Sequence, residues 1–206
     1  MSDTPICQTD PFALLGAERS HFRARLQTLS SIISLHARHV AEPQARRIFD
    51  DLRRRLESQA QIYAVADAAP HDAVPLPWFF SGIMPLLERS LRLSDSGGLN
   101  LDIQDMSLPR GPCVLLAQLA VEVLTLIPHE AETRGDVCLS LSPLASGWAA
   151  LTLSAEGWPG LPGGAEPADM LRRVMIARLA EGLGGRLEFG PLRAGRISLD
   201  FPLFEG

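Results

Sequence analysis

Phe22, Leu26, Leu29, Ile33, His36 and Val40 follow one another at alternating spacings of four and three. That period specifies a long helix, from about Pro11 to Val40, with one stripe packed against other helices. Ala41-Glu42-Pro43 interrupts it, and a proline fits best in the first turn of a new helix. A second helical pattern runs from Gln44 to about Ala68. Ile48, Leu52, Leu56, Tyr63 and Ala66 lie on its inner side, and polar Gln59 shares the stripe. Its outer side carries Arg46, Arg47, Asp50, Asp51, Arg53, Arg54 and Arg55, most simply a solvated charged face. Two helices joined by a short turn form a hairpin that leaves an apolar stripe wet. Two copies closing a four-helix bundle would bury it, so a homodimer is expected. Packing of the hairpin on a second domain of its own chain is the alternative.

The second domain begins after residues 69–77, a proline-rich stretch that breaks both periodicities and reads as a linker. A helix is expected over Phe79 to Leu91 and a strand over Leu99 to Ile103. A long apolar helix follows over Pro112 to Ile127, then strands near Val137–Ser142 and Trp148–Ser154. A Gly/Pro-rich loop covers 156–166. The next helix, from Pro167 to Leu183, stops at Gly184-Gly185, and strands at Arg186–Phe189 and Arg196–Phe201 close the chain. The whole reads as an α+β protein: hairpin over 10–68, linker over 69–77, and an α/β sandwich over 78–206 with its helices on one face.

Composition narrows the function. The 206 residues carry 19 basic and 24 acidic side chains, a net charge of −5. Nucleic-acid and anionic-membrane partners need a basic footprint, so neither is expected. Three cysteines, Cys7, Cys113 and Cys138, have no ligand-like spacing and read as reduced thiols. The first residues lack the basic and apolar blocks of a signal peptide, and the stretch Cys113–Ile127 is too short to cross a bilayer. A cytoplasmic protein is expected.

Two segments bring a family into view. The run MLRRVMIARLAEGLGGRLEFGPLRAGRISLDFPL, with Leu183-Gly184-Gly185 and Phe201-Pro202-Leu203, resembles the last third of the ATPase domain of sensor histidine kinases. Leu26-Gln27-Thr28-Leu29-Ser30-Ser31-Ile32-Ile33-Ser34-Leu35 resembles the kinase subfamily whose phosphoacceptor helix reads H-R-x-K-N-N-L-Q-x-I-S-S-L-L. The resemblance covers the chain from about residue 17. It implies a dimeric helical bundle followed by a histidine-kinase-type ATPase-like sandwich.

Three nucleotide-binding boxes depart from that family. Glu122 stands where the resemblance expects the Mg²⁺-holding Asn; a carboxylate there could still ligate Mg²⁺ but would also repel the phosphates. The D-x-G-x-G box is replaced by Ala155-Glu156-Gly157-Trp158-Pro159-Gly160, with Ala155 where the adenine-binding Asp belongs. Met170-Leu171-Arg172 occupies the expected glycine-rich lid. No nucleotide, metal or other cofactor is therefore expected. The layout, with Ala117-Gln118-Leu119, also resembles the ATP-less dimeric histidine phosphotransferases of alphaproteobacterial type, which relay phosphoryl groups between response regulators.

Relay needs a reachable imidazole. Aligned through Leu26-Gln27, the acceptor position is Ser20, and the histidine falls one place later at His21, flanking the bundle seam. Ala24 and Arg25 replace two asparagines, while Arg23 keeps a basic residue. His21 is the candidate phosphoacceptor, against a plain solvated helix residue. Ser20, Phe22, Arg23, Arg53, Arg54 and Arg55 are candidate contacts to an acidic receiver domain. His36 on the seam reads as a buried core histidine. His36 and His39 at i, i+3 lack a further metal ligand, and His71 and His129 have no supporting residues. A divergent ATP-dependent kinase and an inactive interaction scaffold are the alternatives.

Overall fold

A computed structural model of the chain describes residues 11–91, 98–126, 136–155, 167–189 and 195–203, less the side chains of 11–21, 167–171 and 189. The fold divides after Asp67 into two units. The first is a pair of helices, α1 (Pro11–His39) and α2 (Pro43–Asp67). Glu42 starts α2: its carboxylate accepts the amide hydrogens of Gln44 at 3.1 Å and Ala45 at 2.7 Å, ahead of Pro43 in the first turn. Contacts of Arg23 with Asp67, Ser30 with Glu57 and Arg46 with the Ala37 carbonyl run the two helices antiparallel.

The buried face of α1 is not the seam expected from its period. Leu26, Ser30 and Ala37 are buried, whereas Phe22 and Leu29 are 43% and 48% exposed and His36 is open to solvent. At about 100° per residue the buried line lies about 60° round the helix from the mean of the seam. A helix in a bundle meets two neighbours, and the seam is centred between them; within one chain only one neighbour is present. Within the single chain His36 is exposed, on the same flank as Leu29 and Ile32.

The second unit opens with strand β1 (Ala73–Pro75) and helix α3 (Leu76–Leu91). The stretch 69–77, which reads as a linker, instead holds β1 and the first turn of α3, and Ala69, Val74 and Leu76 are buried. Its prolines fit because Pro75 ends a strand and Pro77 lies in the first helical turn. Arg110 donates to the carbonyls of Ala69 and His71, fastening the segment to its own unit.

Next come β2 (Leu99–Ile103), β3 (Ser107–Pro109) and α4 (Arg110–Leu124). Then follow β4 (Val137–Pro143), β5 (Trp148–Ala155), α5 (Pro167–Gly182), β6 (Arg186–Phe189) and β7 (Arg196–Pro202). Five strands form one sheet in the order β2-β4-β5-β7-β6, parallel between β2 and β4 and otherwise antiparallel, while β1 and β3 form a separate ribbon.

Period-two alternation sorts the sheet's faces. Leu139, Leu151 and Leu199 are buried on the helix side, while the register-matched row Ser140, Thr152 and Ser198 is half-buried on the other. Phe79, Phe80, Ile83, Leu116 and Leu119 complete the core from α3 and α4. No helix among the described residues is long and apolar enough to cross a membrane.

Candidate functional site

Position 21 lies on α1, and the side chains of Ser20 and His21 fall outside the described residues. The two residues after it turn toward the end of α2. Phe22 packs edge-on against Tyr63, with ring centroids 5.0 Å apart and planes at 69°. The Arg23 Nε lies 3.6 Å from Asp67 Oδ2, an ion pair whose acidic side chain is largely buried. Burial, and next the Asp67 carboxylate, raise the Tyr63 phenol above its ordinary pKa of 10.0, so it stays protonated at neutral pH.

Halfway along the hairpin, Ser30 donates to Glu57 Oε1 at 3.3 Å, and Arg53 donates to the same oxygen at 2.8 Å. Arg54 pairs with Asp51 at 2.9 Å on its own helix, and Arg55 is half-buried. Arg53 stands fourteen residues before Asp67, about 21 Å along a helix rising 1.5 Å per residue. The arginine cluster is therefore not brought to the turn that carries position 21.

Between α1 and α2 runs an open groove of about 640 Å³. Arg23, Gln27 and Ser31 wall it on one side and Glu57 and Gln61 on the other, with Ala60 and Ala64 among its small lining residues. By helical spacing the exposed apolar residues Phe22, Leu29, Ile32, Ile48 and Leu52 lie on the opposite flank of the hairpin. One flank is thus polar and concave, the other apolar. The sequence reading missed Asp67, Glu57 and the groove. The spacing of Tyr63 and Asp67 at i, i+4 was the available signal, but Tyr63 is also explained as an ordinary seam residue.

In the second unit Glu122 is 6% exposed, two residues before the end of α4. Ala155, the last residue of β5, is buried, and Arg172 on α5 is half-buried. Gly157, Trp158, Gly160, Cys7 and His129 lie outside the described residues, as do the side chains of Met170 and Leu171. His39 and His71 are exposed, and no group of His, Cys, Asp and Glu among the described residues is arranged to hold a metal ion.

An antiparallel hairpin followed by this mixed sandwich is the fold of histidine-kinase cores. Over 87% of its length the chain matches the Erythrobacter litoralis EL346 blue-light activated histidine kinase, with a TM-score of 0.63 and 22% identity. It spans 63% of that kinase's chain. The histidine kinase domain from the same protein matches over 86% of this chain and 96% of its own, with a TM-score of 0.60 and 19% identity. No protein-family model matches the sequence, and no curated protein matches it. At these identities the likeness establishes the fold, and the chemistry has to be argued from the residues.

Proposed function

We propose that this chain is a two-component signalling protein, a homodimer that docks response-regulator receiver domains on its hairpin and relays phosphoryl groups through His21 without ATP. The carrying observation is a histidine-kinase-type fold with a histidine on α1; the resemblance read from the sequence puts Glu122 and Ala155, both buried, where that family binds its nucleotide. The Ala155 side chain offers no acceptor for an adenine amino group, and both side chains are buried rather than open to a ligand. The groove along α1 and α2 is a bed for a partner helix, and the apolar flank behind it suits a second copy.

In the relay, a His21 ring nitrogen attacks the phosphorus of the receiver's aspartyl phosphate. A P–N bond forms, the P–O bond to the aspartate breaks with its electron pair leaving on the carboxylate, and the imidazole sheds its proton to water.

The test is incubation with a receiver domain carrying labelled phosphate. An acid-labile label on the wild type that is absent from His21→Ala supports relay; no label on the wild type leaves an interaction scaffold. Saturable thermal stabilisation by ATP–Mg²⁺ would overturn the ATP-free part.

A further inference from the structure

Two consecutive residues of α1, Phe22 and Arg23, each meet a residue of α2, and those two partners, Tyr63 and Asp67, are themselves one helical turn apart. Consecutive side chains on a helix project about 100° apart. One contact would let α1 roll about it; two contacts at that angle hold both its rotation and its height. The geometry points to Tyr63 and Asp67 as positioning residues that clamp the turn of α1 bearing His21 onto the last turns of α2. This rests on the relay reading above, and it gives Phe22 and Arg23 a part in the hairpin's own geometry beside the partner contact expected from sequence.

The two halves of the clamp differ in kind. The aromatic pair is edge-to-face, the favoured arrangement for two rings. The ion pair has one largely buried member, so solvent screens it less than it screens Arg54 with Asp51, which lie on one helix and hold nothing together. With its guanidinium beside Asp67, Arg23 itself adds little net positive charge next to the acceptor position, and the exposed Arg25 is the cation one turn on. The expected consequence concerns rate more than affinity. A turn of α1 held in one orientation lets a ring carried on it meet the receiver's phosphorus in a reactive geometry in a larger share of encounters, while the groove that would bind the receiver keeps its shape.

The test uses the full-length protein and compares wild type with Asp67→Ala, Tyr63→Ala and the exchanged pair Arg23→Asp with Asp67→Arg. Amide hydrogen exchange over residues 21–25 and the saturating rate of phosphoryl transfer from a labelled receiver domain are measured on each. Each single variant is expected to speed exchange at that turn by about tenfold, with exchange over residues 33–38 unchanged. The saturating transfer rate of each single variant should fall by about tenfold with the half-saturating receiver concentration unchanged, and the exchanged pair, whose position 23 also walls the groove, should recover the slow exchange at residues 21–25. Unchanged exchange at residues 21–25 overturns the clamp whatever the relay does. Faster exchange with an undiminished saturating rate overturns the positioning role. A wild type that takes no label overturns the relay reading and with it the positioning role, while faster exchange in the variants still upholds the clamp itself.

Discussion

Gly185, between α5 and β6, lies directly against strand β7. A Cβ on it would lie 2.8 Å from the Asp200 carbonyl oxygen and 2.9 Å from Leu199 Cδ1, and the backbone oxygen has nowhere to go. Its neighbour Gly184 has φ of 64°, and the amides of Gly184 and Gly185 donate to the carbonyls of Glu181 and Ala180, which closes the helix in a Schellman motif. Gly185→Ala is expected to lower unfolding stability by about 1–3 kcal/mol, as for other groups forced into filled space. Urea denaturation measures it, and a variant within a few tenths of the wild type would refute the close approach. That α5 stops here was legible from Gly-Gly. The tight contact with β7 was not, because it joins segments that only the folded sheet brings together.

Cys113 titrates at the same scale. It is fully buried in the first turns of α4, and loss of solvation pushes its thiol from 9.0 up to about 12. Since the folded thiol holds its proton more tightly than the unfolded one, its contribution to stability is complete below pH 9 and is lost as the pH rises toward 12. In that window the site lowers stability by about 1.4 kcal/mol per pH unit. Unfolding free energies between pH 9 and 11 should show that added slope in the wild type and not in Cys113→Ala. Equal slopes would refute it.

Among elements, α2 shows how a local signal can be read in full. Pro43 predicted a helix start, and the structure supplies the rest of the motif. The Glu42 carboxylate takes two free amides and its carbonyl takes the Arg46 amide. Glu42→Ala should cost about 1 kcal/mol and speed amide exchange at residues 44–46, with exchange unchanged at the other end of α2; protection that stays as in the wild type argues against the cap. Helix α1 shows the opposite case. Its spacing correctly marks a long helix packed along another, but spacing alone does not say which part of a broad apolar stripe meets which neighbour. β1 and β3, at three residues each, are too short for any period to register, so the prolines around them look like a linker.

For the whole molecule, the split stripe of α1 is the feature that calls for a second copy. Leu26 and Ala37 are covered by α2, yet Leu29, Ile32, Ile48 and Leu52 are each 43% exposed or more, on one flank. Burying the remaining surface of such a side chain is worth about 1 kcal/mol. A two-fold contact uses the same patch from both chains, so every substitution in it acts twice. Leu29→Asp with Ile48→Asp removes two of these side chains per protomer and places carboxylates where burial costs several kcal/mol more. Sedimentation velocity at micromolar concentration is expected to find the wild type dimeric and the double variant monomeric. Val174→Asp, on an exposed apolar residue of α5 at 52%, should leave the dimer intact. A wild type that sediments as a monomer would refute the bundle. A double variant that stays dimeric would move the contact to another surface. A monomer that keeps the melting transition of its second unit would place the dimer contact on the hairpin alone, with the sandwich folding without it.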